Sequence, residues 1–144
     1  MIVVLDASVA LKWSFTDEEA TDGALALLDD FVEGRVDLIA PTLFTYEVVG
    51  GIHVAIGRKR IKEADGVSAI RSITGLKIEL RTFEDLVDET FRLSRRYSVS
   101  PYDGAYLALA SRAQAEFLTG DKKLFNVTRK RISWIRWIGD YQSA

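Results

Sequence analysis

The chain contains no cysteine. Disulfides, thiolate-held zinc and cysteine nucleophiles are thereby excluded, and a reducing cytosol suits such a composition. Histidine is almost as scarce: His53 stands alone, in a Gly-rich helical stretch, where a structural or exposed role is the ordinary one. Long apolar runs are also missing, since no segment reaches the roughly 20 residues a membrane helix needs. The N-terminal apolar run is interrupted by Asp6 and Lys12 and has no basic segment before it, unlike a signal peptide. No charge sign dominates: 19 Lys and Arg face 21 Asp and Glu, for a net charge of −2. A surface given over wholesale to polyanion binding is therefore not expected. These absences lead to the expectation of a cytoplasmic protein with no membrane association.

What is present suits one globular domain spanning residues 1–144, 48% hydrophobic and 28% charged. A chain of this size buries about two thirds of its unfolded surface and needs no covalent staple. Ile2 to Leu5 is a continuous β-branched and apolar run, the mark of a strand covered on both faces. Further strands are predicted at Leu38 to Ala40, Leu76 to Leu80, Glu116 to Thr119 and Ser133 to Ile138. Between them, helical periodicity predicts helices at Ala7–Trp13, from Asp17 to Phe31, Thr42–Ile56, Lys62–Ile73, Glu84–Tyr97, Tyr102–Ala115 and Lys122–Asn126. Strands alternating with helices indicate an α/β three-layer sandwich around a parallel sheet.

Four acids stand where the apolar segments stop: Asp6, Glu47, Asp103 and Asp121. Each has an ordinary explanation. Asp6 can cap the helix after it, and Asp121 can belong to a Gly-Asp turn. Ser100-Pro101-Tyr102-Asp103 matches a capping box. Glu47 borders an apolar stripe of Phe44, Val48 and Ile52, where a lone carboxylate is costly to bury. Together they suggest more, because ligands of open parallel sheets bind beyond the carboxyl ends of the strands. Two carboxylates about 5 Å apart repel by roughly 3 kcal/mol at an effective dielectric near 20. Protons, a lysine or hard divalent cations must offset that cost, and Mg²⁺ prefers such oxygen ligands. Ser8 and Thr119 offer hydroxyls that orient the carboxylates. Lys12, Lys122 and Lys123 are candidate phosphate contacts. The clusters Arg58-Lys59-Arg60-Lys62 and Arg129-Lys130-Arg131 read first as solvated faces. Trp13 has the makings of a base-stacking residue, but an aromatic in an apolar helix usually packs inward.

The segments around these acids resemble the PIN-domain ribonucleases, particularly VapC-type toxins of toxin–antitoxin pairs. They are Val4-Leu5-Asp6-Ala7-Ser8 with Leu11-Lys12-Trp13, Pro41 to Val48, Tyr102 to Ala110, and Phe117 to Leu124. The resemblance implies a five-stranded parallel sheet flanked by helices. It also implies Mg²⁺ or Mn²⁺ at Asp6, Glu47, Asp103 and Asp121, and hydrolysis of RNA phosphodiesters. A homodimer and a VapB-like antitoxin inserted in the cleft follow in the same way. Where some relatives carry a further acid after the fourth, this chain has Lys122 and Lys123. Three other readings fit less well. A receiver-like module wants paired acids after its first strand, and an Asp-nucleophile phosphatase wants Asp-x-Asp, whereas this chain has Asp6-Ala7-Ser8. A non-catalytic PIN-like binding module would not need all four acids.

Overall fold

The computed structural model describes residues 1–143. Five strands form one parallel sheet: β1 (Ile2–Leu5), β2 (Asp37–Pro41), β3 (Glu79–Arg81), β4 (Glu116–Thr119) and β5 (Ile135–Trp137), in the order β3-β2-β1-β4-β5. Seven α-helices connect them: α1 (Ala7–Lys12), α2 (Thr21–Val32), α3 (Leu43–Gly57), α4 (Glu63–Gly75), α5 (Val87–Tyr97), α6 (Pro101–Ala113) and α7 (Lys122–Thr128). This is the α/β three-layer architecture expected from the alternation of apolar runs and helical periods.

The central position of β1 follows from its composition. Val3, Val4 and Leu5 are fully buried, so the strand must have neighbours on both sides and layers on both faces. Val3 pairs with Leu38 of β2 and with Glu116 of β4. Helix α6 lies across β1, β2 and β4, and α5 packs on α6. The apolar stretch Gly104–Ala110 is accordingly buried throughout. Tyr106 stacks on Phe117 at a centroid distance of 5.5 Å and an interplanar angle of 10°. A second, smaller apolar cluster joins Phe15 to Ile52 and Ala55 of α3, with Ile70 of α4 packed against it.

The order of the strands sets the site. Successive connections leave β1 toward β2 on one side and return to β4 on the other, so the sheet reverses direction between β1 and β4. A crevice opens at such a switch point, beyond the carboxyl ends of the strands. Asp6 follows the end of β1 directly, and Asp121 follows the end of β4 after Gly120. A receiver-like sheet has the order 2-1-3-4-5. Here β3 is an edge strand instead.

Four expected element boundaries are corrected. Helix α2 starts at Thr21 rather than Asp17, because Ala20 takes a left-handed conformation (φ 62°) and the acidic stretch before it forms turns. Strand β3 begins at Glu79 rather than Leu76: α4 runs on through Gly75, and Lys77 (φ 54°) reverses the chain. The segment expected as helix from Glu84 starts as a 3-10 turn, Phe83–Leu86, before α5. Strand β5 is three residues long, and Ile138–Asp140 turns away from the sheet.

Candidate active site

Three of the four acids sit at helix starts, as their local patterns suggested. Asp6 is the N-cap of α1, and its Oδ1 accepts the Ser8 N–H at 3.5 Å. Asp121 is the N-cap of α7, its Oδ1 accepting the Leu124 N–H at 3.0 Å. Asp103 is in the first turn of α6, its own N–H donating to the Ser100 N-cap hydroxyl at 3.1 Å. The capping role and a shared crevice are not alternatives. Helix N-termini carry partial positive charge, which makes them suitable places to collect carboxylates. Glu47 projects from the second turn of α3.

The loops after β1 and β4 are stitched to each other. The Thr119 hydroxyl donates to Asp6 Oδ2 at 2.6 Å and accepts the Asp121 N–H at 3.0 Å. The Gly120 N–H donates to Ser8 Oγ at 2.9 Å. Ser8 and Thr119, expected to orient the acids, therefore hold Asp6 and the chain leading to Asp121 in one framework.

Electrostatics ties the four acids together. Burial pushes the Asp6 carboxyl up to about 6, and the nearby Asp103 charge adds to the rise against the lowering hydrogen bonds from Thr119 and Ser8. Glu47 is pushed up to about 7, first by burial and further by the charges of Asp6 and Asp103. Asp103 is raised by burial, with a contribution from Asp121. Each acid thus lies within electrostatic reach of at least one other, and Asp103 senses or is sensed by all three. Groups far apart in sequence that raise one another are the pattern from which a candidate functional site is inferred.

Sequence reasoning overlooked Tyr106. Its hydroxyl donates to Glu47 Oε1 at 2.7 Å, from a side chain that is 1% exposed. Burial and the adjacent Asp6 and Glu47 charges keep that phenol protonated far above the usual range, so it serves as a fixed donor. The available signal was spacing: Tyr106 lies three residues after Asp103, on the same face of α6, as the polar tip in an apolar helix.

The lysines take separate positions. Lys12 is buried, with its ammonium 3.4 Å from Glu18 Oε2. Lys122 is exposed and pairs with Glu19 at 2.8 Å. Lys123 is exposed at the start of α7. The turns misassigned to a helix, Asp17 to Glu19, thus supply the acids that engage Lys12, Lys122 and Arg60. Trp13 donates its indole N–H to the Ala24 carbonyl at 2.8 Å and packs against the core, so it is a structural aromatic. His53 is exposed on α3.

The donor set suits a hard divalent cation: only oxygens, three carboxyls raised in part by their neighbours, and, among the described residues, no lysine ammonium paired with any of the four. Among the described residues, however, no three acidic or histidine side chains are gathered closely enough to ligate one ion as they stand. Asp6, Glu47 and Asp121 are each engaged by a protein donor instead. The fold brings the expected acids within electrostatic reach of one another, short of a closed ligand cage.

A five-stranded parallel sheet in the order β3-β2-β1-β4-β5, covered by helices, defines the class as a doubly wound α/β three-layer protein. The family follows from comparison: a model of the PIN domain matches residues 3–130, and this chain belongs to that family. Ribonuclease VapC12 of Mycobacterium tuberculosis is 28% identical over 85% of this chain and 89% of the relative. Ribonuclease VapC3 of Pyrobaculum aerophilum is 25% identical over 86% of this chain and 92% of the relative. Among solved structures, PAE2754 from Pyrobaculum aerophilum superposes with a TM-score of 0.65 at 20% identity, covering 96% of this chain and 90% of that one. VapBC2 from Rickettsia felis, bound to a DNA fragment from the promoter of the pair, gives 0.59 at 15% identity, covering 95% and 97%. Both structures share this chain's fold.

Proposed function

We propose that residues 1–144 form one metal-dependent endoribonuclease domain that acts as the toxin of a VapBC-type pair. The observation that carries this reading is the placement of Asp6: buried, raised first by that burial and further by Asp103, and paired with hydroxyl and amide donors rather than a cation. A fold keeps such a group against its own stability only where something else uses the charge. The two named ribonucleases among its relatives support RNA as the substrate.

Asp6, Glu47, Asp103 and Asp121 would hold Mg²⁺ or Mn²⁺. Bound there, such an ion supplies Lewis acidity toward the phosphate and lowers the pKa of water. This chain's own groups do the rest. Tyr106 fixes one oxygen of Glu47 by hydrogen bonding and leaves the other available to a ligand or a proton. In the metal-free protein burial pushes Glu47 up to about 7, so near neutrality that oxygen carries a proton which a bound cation would displace. Ser8 and Thr119 position Asp6 and the backbone at Gly120 and Asp121. Lys12, Lys122 and Lys123 favour the approach of an RNA backbone toward an otherwise anionic crevice. Inhibition by a VapB-like antitoxin and a homodimeric assembly belong to the same reading. It finds support in the shared fold of the VapBC2 structure.

The test is cleavage of single-stranded and stem-loop RNA by the purified protein, with Mg²⁺ or Mn²⁺ and with EDTA. Cleavage that requires metal and is lost in Asp103→Asn, while the variant stays folded, is the expected result. Equal cleavage by Asp103→Asn, or none by the wild-type protein under any metal, contradicts the reading.

A further inference from the structure

Beside the acids lies a cavity of about 380 Å³ that their chemistry does not use. Its volume falls within the roughly 300–1,000 Å³ of ligand clefts. Ser8 and Gly120 form the wall it shares with the acid crevice, and these are the residues whose mutual hydrogen bond joins the loops of Asp6 and Asp121. Opposite them runs the surface of α3 at Gly50 and Gly51.

Gly50 is the informative residue. Glycine is unfavourable inside a helix, so its presence there needs a reason. Within the helices, Gly23, Gly51, Gly66 and Gly104 have one: a Cβ would strike Ile138, Leu11, Ile52 and Ser94 respectively. Gly57 and Gly75 are the last residues of their helices, where glycine is ordinary. Gly50 lies mid-helix, and a Cβ built on it meets nothing within 4 Å. Packing does not demand the missing side chain. The open space it leaves belongs to the cavity.

The lining combines apolar surface from Leu11, Phe15 and Val54 with polar edges at Ser8, Lys12 and Arg60, the mixture a nucleoside needs. Arg60 lies over the Phe15 ring at 4.6 Å, which fixes its guanidinium as a platform. Guanidinium planes and bare surfaces of this kind receive unstacked RNA bases. Lys12 and Arg60 both reach Glu18, each at 3.4 Å, and Arg60 also pairs with Asp17 at 3.2 Å, so the ion pairs hold the guanidinium in place.

We propose that this cavity seats the nucleotide flanking the scissile phosphate, its base against the exposed α3 backbone at Gly50 and the Arg60 guanidinium. This inference rests on the ribonuclease reading. It makes Gly50 a residue that sets the size of the base admitted, with Arg60 positioning it.

The experiment compares metal-loaded wild-type protein with Gly50→Ala, Gly50→Leu and the control Gly57→Leu. Gly57→Leu adds the same side chain to the same helix but outside the cavity. The readouts are kcat and KM on a single-stranded RNA substrate, with thermal midpoints of all four proteins. The expected result is a KM raised several-fold by Gly50→Ala and tenfold or more by Gly50→Leu. Midpoints stay at or above wild type, and Gly57→Leu is unchanged throughout. Wild-type KM in folded Gly50→Leu overturns the cavity assignment and leaves the ribonuclease reading intact. So does normal cleavage combined with lost inhibition by an antitoxin peptide, which would give the cavity to a protein partner. Absence of RNA cleavage by the wild-type protein overturns both.

Discussion

Asp6 and Asp30 are both buried carboxylates, and the protein treats them in opposite ways. Asp30 is met by a cation and a phenol: Arg35 approaches to 2.6 Å, and the Tyr141 hydroxyl donates at 2.6 Å. The chain folds back over it as well, with the Arg35 and Val36 amides bonding its carbonyl. Asp6 receives the Thr119 hydroxyl and the Ser8 amide, and its nearby charged groups are acids. Burying a charge is costly unless it is paired, and the pairing at Asp30 answers that cost locally. At Asp6 the cost is left standing. A carboxylate kept for structure is neutralised by the chain itself, whereas one kept for chemistry waits for a cation from outside.

The largest effects should separate the two sites by kind. Asp6→Asn should abolish RNA cleavage, a loss of at least about a hundredfold given typical costs of removing a group that stabilises developing charge. In the metal-free protein at pH 8 the same change should raise stability by about 1–3 kcal/mol, because it removes an acid whose pKa is raised by burial. Asp30→Ala should do the reverse. It should lower stability by about 2–4 kcal/mol by breaking a buried pair, while the folded fraction retains its kcat. Denaturant unfolding and cleavage assays on the two variants measure both. Loss of stability in Asp6→Asn comparable to that of Asp30→Ala would erase the distinction.

A pH series sharpens the contrast. The folded protein binds protons at Asp6 (about 6, against 3.8) and Glu47 (about 7, against 4.5) that the unfolded chain has already released. Where the folded state holds more protons, stability falls as pH rises. The contribution of these two groups is therefore most favourable below about pH 4 and is lost between about pH 4 and 7. Subtracting the curve of Asp6→Asn from that of the wild-type protein gives the Asp6 part together with its coupling to Glu47. Saturating Mn²⁺ at pH 8 should return stability to the wild-type protein and not to the variant.

The two sites were unequally legible in the sequence. Asp6 and Asp121 stood out because they follow apolar runs that read as strands. The Ser-Pro capping pattern explained Asp103 without a site, and only its place at the start of an almost wholly apolar helix pointed further. The relation of Asp30 to Arg35 and Tyr141 was invisible, since Asp30 and Tyr141 lie far apart in the chain and no motif joins them. The strands at the edges were misplaced for a physical reason. β3 is exposed along its whole length and β5 in part, so neither carries the apolar signal that marked β1. Asp17 to Glu19 looked like an acidic first turn. Their charges serve long-range pairs with Arg60, Lys12 and Lys122, which periodicity does not encode. In the sequence Tyr106 is one more position of the nearly all-apolar run from Gly104 to Ala110, and its hydroxyl gains significance only with Glu47 opposite.

Smaller effects refine the picture. Tyr106→Phe removes the donor to Glu47 but keeps the ring stacked on Phe117. Its cost to stability should be about 0.5–1.5 kcal/mol, and kcat should fall about tenfold. The acidic limb of the pH–rate profile should shift upward in the same variant, because the Tyr106 hydrogen bond lowers the Glu47 pKa. An unshifted limb would detach Tyr106 from the reaction. The smallest change expected is Gly50→Ala, which should stabilise the fold by about 0.5–1 kcal/mol, as relief of a mid-helix glycine does.

Anomalous diffraction from crystals soaked in Mn²⁺ addresses the central claim most directly. The account predicts a peak in the crevice beyond β1 and β4, with Asp6 and Asp103 among its ligands and no peak in crystals of Asp6→Asn. Mn²⁺ bound only elsewhere, or bound equally by the Asp6→Asn protein, would contradict it.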